Sequence, residues 1–120
     1  MREIKFRAWD KEDKVMLSWE YHLYSYAKNQ GMSSMEWFDH EILMQYTGLK
    51  DIEKKEVYEG DIVYETFMGE DDVYKGEVVW FDSGWFIKTK EHGTLALTDC
   101  SESIEVIGNI YENPELIGGK

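Results

Sequence analysis

At 120 residues the chain has room for one ordinary domain with one core, and not for two. Hydrophobic residues at 42% and charged residues at 32% exclude a disordered chain. A formal net charge of −12 argues against non-specific nucleic-acid binding, which needs cations to displace phosphate counterions, and keeps a small protein soluble without any partner.

Ile4, Phe6 and Ala8 alternate with Lys5, Arg7 and Trp9, the period of a half-buried strand. Asp10 to Lys14 reads as a turn, and Val15 to Tyr21 resumes as an apolar, aromatic stretch, so the two form an N-terminal hairpin. Residues 22–34 show no clean period. Ser33 and Glu36 have the spacing of a capping box, which places a short helix around Met35 to His40. Glu41 to Tyr46 is the next strand, closed by Thr47-Gly48, and Lys50 to Glu56 is a polar surface turn carrying Ile52.

Val57 to Phe67 reads as one strand broken at Glu59-Gly60-Asp61, since a glycine inside a strand marks a bulge or bend. Gly69 to Asp72 is a loop tip. Gly76 to Lys90 is the clearest hairpin: Val78-Val79-Trp80-Phe81, then Asp82-Ser83-Gly84 with glycine supplying a positive φ, then Trp85-Phe86-Ile87. His92-Gly93 turns into Leu95-Ala96-Leu97, and Ile104 to Tyr111, with Gly108, is the last strand. Asn113-Pro114-Glu115 places a cap, a first-turn proline and a first-turn acid before a single helical turn.

Short strands, turn signals and glycines at bends predict a mostly β fold with a small barrel. Gly60 and Gly108 are the structural bends, with Asp61 accepting amide hydrogens that the bend leaves unpaired.

Five blocks carry a family likeness: Arg2 to Asp10, Gln45 to Asp51, Val57 to Val63, Gly76 to Val79, and Val106 to Leu116. In that order they resemble the YopX family of phage and prophage proteins, over most of the chain. The resemblance implies an SH3-type barrel in residues 48–117, an N-terminal hairpin region in residues 1–47 packed against it, and a frayed tail at 118–120. It implies a bacterial host cell as the setting, and it brings no activity.

The residues offer little chemistry. Cys100 is alone, so neither an internal disulfide nor a thiolate metal cluster can form. His22, His40 and His92 are far apart, and Met44 stands where a zinc-protease helix starting at His40-Glu41 would need its second histidine. Asp39-His40-Glu41 and Glu70-Asp71-Asp72 lack the spacing of a metal loop. No phosphate loop, signal-peptide core or bilayer-length apolar run is present. The expectation is a cytoplasmic protein with no catalytic residue, no metal and no cofactor.

Two surfaces remain as candidate ligand or partner sites. One is the strand face with Lys5, Arg7 and Trp9, suited to a planar or anionic ligand unless the cations merely cover the ring. The other is the hairpin with Trp80, Phe81, Trp85 and Phe86, where alternation forces two of the four outward. The reading is a non-enzymatic binding module whose partners include a host or phage protein or further copies of itself, in a homo-oligomer. Its alternative is an anti-defence protein, either an acidic DNA mimic or a nucleotide-sequestering oligomer.

Overall fold

The computed structural model describes residues 4–21, 41–66, 73–89, 93–97 and 103–117. The helix expected over 35–40, the three histidines, Cys100 and the acidic tip at 70–72 lie outside them. The chain is mostly β, in two antiparallel sheets, one of them a half-barrel. The first holds β1 (Phe6–Asp10), β2 (Val15–Leu17), β3 (Glu41–Lys50) and β4 (Glu56–Tyr58), in the order β2-β1-β3-β4. The second holds β5 (Asp61–Thr66), β6 (Val73–Phe81), β7 (Gly84–Thr89), β8 (Thr94–Ala96) and β9 (Ile104–Asn109), in the order β8-β7-β6-β5-β9. Two compact units, Met1–Tyr46 and Thr47–Lys120, divide the chain within β3.

In the first unit β1 is central, pairing Ala8 with Leu17 of β2 and with Leu43 of β3. Asp10 closes the β1–β2 turn by accepting the Glu12 and Asp13 amides at 2.9 and 3.0 Å, with Lys14 in the left-handed region at φ 60°. The stretch expected to run as strand to Tyr21 stops at Leu17. Ser18 Oγ accepts the Tyr21 amide at 3.1 Å, so the serine starts a helical segment instead.

The second unit is built on Val57, Val63, Val78, Trp85, Ile87, Leu97, Ile104 and Val106, with Leu49 and Leu95 packed against them. Three boundaries differ from the sequence pattern. β3 does not close at Thr47-Gly48: Thr47 Oγ1 donates to Val57 O at 2.8 Å and accepts from Leu49 N, and Gly48 takes φ 90° inside the strand. The single broken strand is two strands in two sheets, cornered at Gly60 with φ 87°; Gly60 N donates to Val78 O and its carbonyl accepts from Ile110 N, both at 2.9 Å. In the β6–β7 hairpin the positive φ values belong to Asp82 (52°) and Ser83 (70°), while Gly84 is the first residue of β7. A two-residue loop with both φ positive matches the right-handed twist of its strands, and that twist overrides the preference for glycine.

β9 lies at the edge of its sheet, and the turn after β3 runs along its open side. Ile52 N donates to Ile104 O at 3.0 Å, and Val106 N donates to Asp51 Oδ2 at 2.9 Å. Asp51 Oδ1 accepts the Glu53 and Lys55 amides, each at 2.9 Å. Burial pushes the Asp51 carboxyl up, but the amides of Val106, Lys55 and Glu53, with the Lys55 charge, outweigh it and hold the group below its ordinary 3.8.

The far end of β9 is fixed by asparagines. Asn109 Oδ1 accepts the Tyr111 and Glu112 amides at 3.0 and 2.8 Å, and its Nδ2 donates to Glu112 Oε1 at 2.8 Å. A 3₁₀ turn follows over Pro114–Ile117. Asn113 accepts the Leu116 amide with its carbonyl, while its side chain reaches back to accept the Asn109 amide at 3.2 Å. That reach needs Gly108, where a Cβ would meet Asn113 Oδ1 at 2.5 Å. The register of β5 against β9 also slips by one residue here, between Ile62 and Val63.

Asp51→Asn is expected to cost ~2–3 kcal/mol at neutral pH, because an amide keeps one acceptor and turns a donor on a buried N–H. Since folding lowers this carboxyl's pKa, its contribution is full above 3.8 and falls away in acid, so wild-type and variant urea melts should converge as the pH drops below 3.8. Ser83→Gly is expected to stabilise by ~0.5–1 kcal/mol, since glycine takes φ 70° without a Cβ clash; an unchanged or lowered melting midpoint would contradict it.

Candidate functional site

Lys5, Arg7 and Trp9 share one face of β1 with Met44 and Tyr46 of β3, where Trp9, Met44 and Tyr46 are all enclosed; Ala8, on the other face, is enclosed as well. The Lys5 ammonium sits 5.2 Å from the centre of the Tyr46 ring, and Arg7 Nη2 lies 3.8 Å from the Met44 sulfur. Both charged heads therefore lie along side chains of β3, the ammonium over a ring and the guanidinium against a thioether, with Arg7 Nε itself buried.

The four hairpin aromatics do not form one patch. Trp80 and Trp85 are directly opposed across β6 and β7, on the face that carries Val78 and Ile87 into the core. Trp85 is enclosed; Trp80, one step from the hairpin tip, is 52% exposed and meets Trp85 edge to face at 4.9 Å and 71°. Phe81 and Phe86 lie on the opposite face beside Val79, and their rings meet at 5.9 Å and 80°. Phe81 is 58% exposed. Edge-to-face pairs of this kind are worth ~0.5–1.5 kcal/mol beyond burial, so both exposed rings are held in place rather than trailing in solvent.

Away from the tip the outer face becomes polar. Glu77 opposes Lys88, and Ile62 opposes Glu77. Ile62 is fully buried yet stands outside the core cluster, because alternation turns it away from Val63. Gly108 is its partner on β9, so Asn113 fills the space on that same outer face, and the C-terminal turn lies against β6. Burial pushes the Glu77 carboxyl up, Lys88 opposes the shift and Glu59 adds to it. Tyr111 is raised by burial first, then by Glu77 and Glu59.

Asp61 Oδ2 accepts the Tyr58 amide at 2.7 Å across the Gly60 corner, so its carboxylate serves the backbone. Sequence reading passed over two buried acids. Asp51 is one; Glu65, 1% exposed, is the other, accepting from Ser103 Oγ at 2.7 Å through Oε2 while Oε1 meets no hydrogen-bond partner among the described residues. Glu65 was legible in principle as a polar residue in phase with Val63 on β5. Among the described residues no three His, Cys, Asp or Glu side chains converge to hold a metal, and no helix is long and apolar enough to cross a membrane.

The family model for YopX protein matches residues 5–118. Among solved structures, the crystal structure of protein EF1440 from Enterococcus faecalis is similar at 25% identity and a TM-score of 0.67, covering 98% of this chain and 99% of that one. The X-ray structure of YopX from Bacillus subtilis, at 22% identity and a TM-score of 0.63 over 97% of this chain and 98% of its own, shares the fold. No curated protein matches at a significant level. The chain belongs to the YopX family.

Folding raises the Glu77 pKa above 4.5, so this group's contribution is present below 4.5 and is lost as pH rises through the folded value. Glu59→Gln removes a like charge from both Glu77 and Tyr111. It is expected to bring Glu77 down towards 4.5 and Tyr111 down towards 10.0; a carboxyl-carbon NMR titration showing Glu77 unmoved would contradict it.

Proposed function

For a member of the YopX family built in this way, we propose a non-enzymatic accessory protein of phage or prophage that works by binding, with the β6–β7 hairpin as its binding element. One observation carries the reading: the two large aromatics at the hairpin tip are more than half exposed yet held by ring pairs. Exposed aromatics that are already fixed lose little side-chain entropy on contact, and aromatic residues are enriched at the centres of interfaces. The five-stranded half-barrel supplies the rigid base, and we read it as the wall of an SH3-type barrel in a cytoplasmic protein. No residue in this reading is catalytic, and it needs neither metal nor cofactor.

The test is a double substitution, Trp80→Ser with Phe81→Ser, in the full chain. Both side chains are solvent-facing, so the variant should keep its far-UV circular dichroism and a cooperative melt. Used as bait against lysate of host cells, it should lose the proteins that the wild type retains, while Ile52→Ser, at an exposed apolar position on the β9 side, should keep them. Equal capture by wild type and the double variant would refute the hairpin as the binding element.

A further inference from the structure

The outer face of β6 and β7 carries three successive opposed pairs: Glu77 with Lys88, Val79 with Phe86, and Phe81 with Gly84. Opposed residues of an antiparallel pair project to the same side, and alternation puts all six there. The pattern is self-complementary. A two-fold axis parallel to the strands and midway between them keeps each pair at its own level and exchanges its members. Glu77 then lies over Lys88 of a second copy, Val79 over its Phe86, and Phe81 over its Gly84, where no Cβ projects.

Charge supports this placement. Lys88 is exposed, and the side chains of Lys88 and Glu77 make no hydrogen bond to another described residue. Glu77 is half-buried beside Glu59 and opposed by Lys88, so a second ammonium would be well received. The three pairs are also neutral together, in a chain of net charge −12 whose surfaces otherwise repel their like.

We propose that the outer face of the β6–β7 hairpin pairs with the same face of a second copy of this chain, as a two-fold dimer with reciprocal Glu77–Lys88 ion pairs around Val79, Phe81 and Phe86. The proposal names the partner of the binding element above and rests on that reading. Sheets stacked this way interdigitate at about 10 Å separation, with apolar side chains at the centre and charges at the rim.

Sedimentation velocity of the full chain tests it. Wild type should dimerise at micromolar concentration, and Glu77→Lys and Lys88→Glu should each run as monomers. An equimolar mixture of the two should recover a dimer, because each lysine pair then faces a glutamate pair. Loss in Glu77→Lys cannot come from overall repulsion, since it lowers the net charge from −12 to −10. Phe81→Asp should also dissociate the dimer, whereas Trp80→Asp, on the opposite face, should not. The two aspartate variants keep the test decisive if a charge swap fails to fold. A wild type that stays monomeric, or single swaps that remain dimeric, or a mixture that stays monomeric, would overturn the proposal. Monomeric wild type would leave the capture experiment standing, so the two readings fail separately.

Discussion

One carboxylate organises the second unit. Asp51 collects three backbone amides, two from its own turn and one from β9, and in doing so ties a local turn to a strand 55 residues further on. An edge strand presents unpaired N–H and C=O groups that must be met by something. Here the Asp51 carboxylate and the Ile52 amide meet them, so β9 has β5 on one side and a turn on the other. The geometry explains the residue type. Asparagine has one acceptor oxygen, and glutamate carries its carboxylate one methylene further from the turn amides.

With that edge closed, the two faces of the half-barrel are treated differently. The inner face is mostly apolar, through Val63 and Val78 to Ile87, with Glu65 the buried acid on it and Val57 of β4 packed against it. The outer face is covered at Ile62 by the C-terminal segment, through the notch at Gly108. It is left open where Val79, Phe86 and Phe81 approach the tip. Gly76 marks how tightly the ladder is drawn beneath this face: a Cβ there would meet the Lys88 carbonyl oxygen at 2.5 Å. A closely packed base and an open, aromatic tip are the combination on which the binding reading depends.

Much of this order is legible in the residues. Period-two alternation marks β6 and β7, because sheets buried on one face sort their side chains by polarity; β1 alternates in sequence too, yet Trp9 beside Arg7 is enclosed while Ile4 is exposed. Asn113-Pro114-Glu115 announces the 3₁₀ turn through ordinary helix-start chemistry, although the asparagine side chain turns back to β9 and not forward. Failures arise where a long-range partner decides. Asp51 sits in a polar run that looks like any surface turn, and only the Val106 amide distinguishes it. Glu59-Gly60-Asp61 reads equally as a bulge or a corner; the Val78 carbonyl above Gly60 selects the corner. Asp82-Ser83 carries positive φ against local preference because strand twist sets the loop. The hairpin aromatics were visible as a group, but which face each takes depends on register, and register comes from pairing.

The Asn113–Gly108 fit couples two losses that would otherwise be separate. Residues 112–117 look like a tail, yet they hold the lid over Ile62 and the hydrogen bonds that finish β9. Drawing Asn113 out of the notch would wet a buried isoleucine and release the end of an edge strand in one step, so a short polar segment works as the clasp of the second unit.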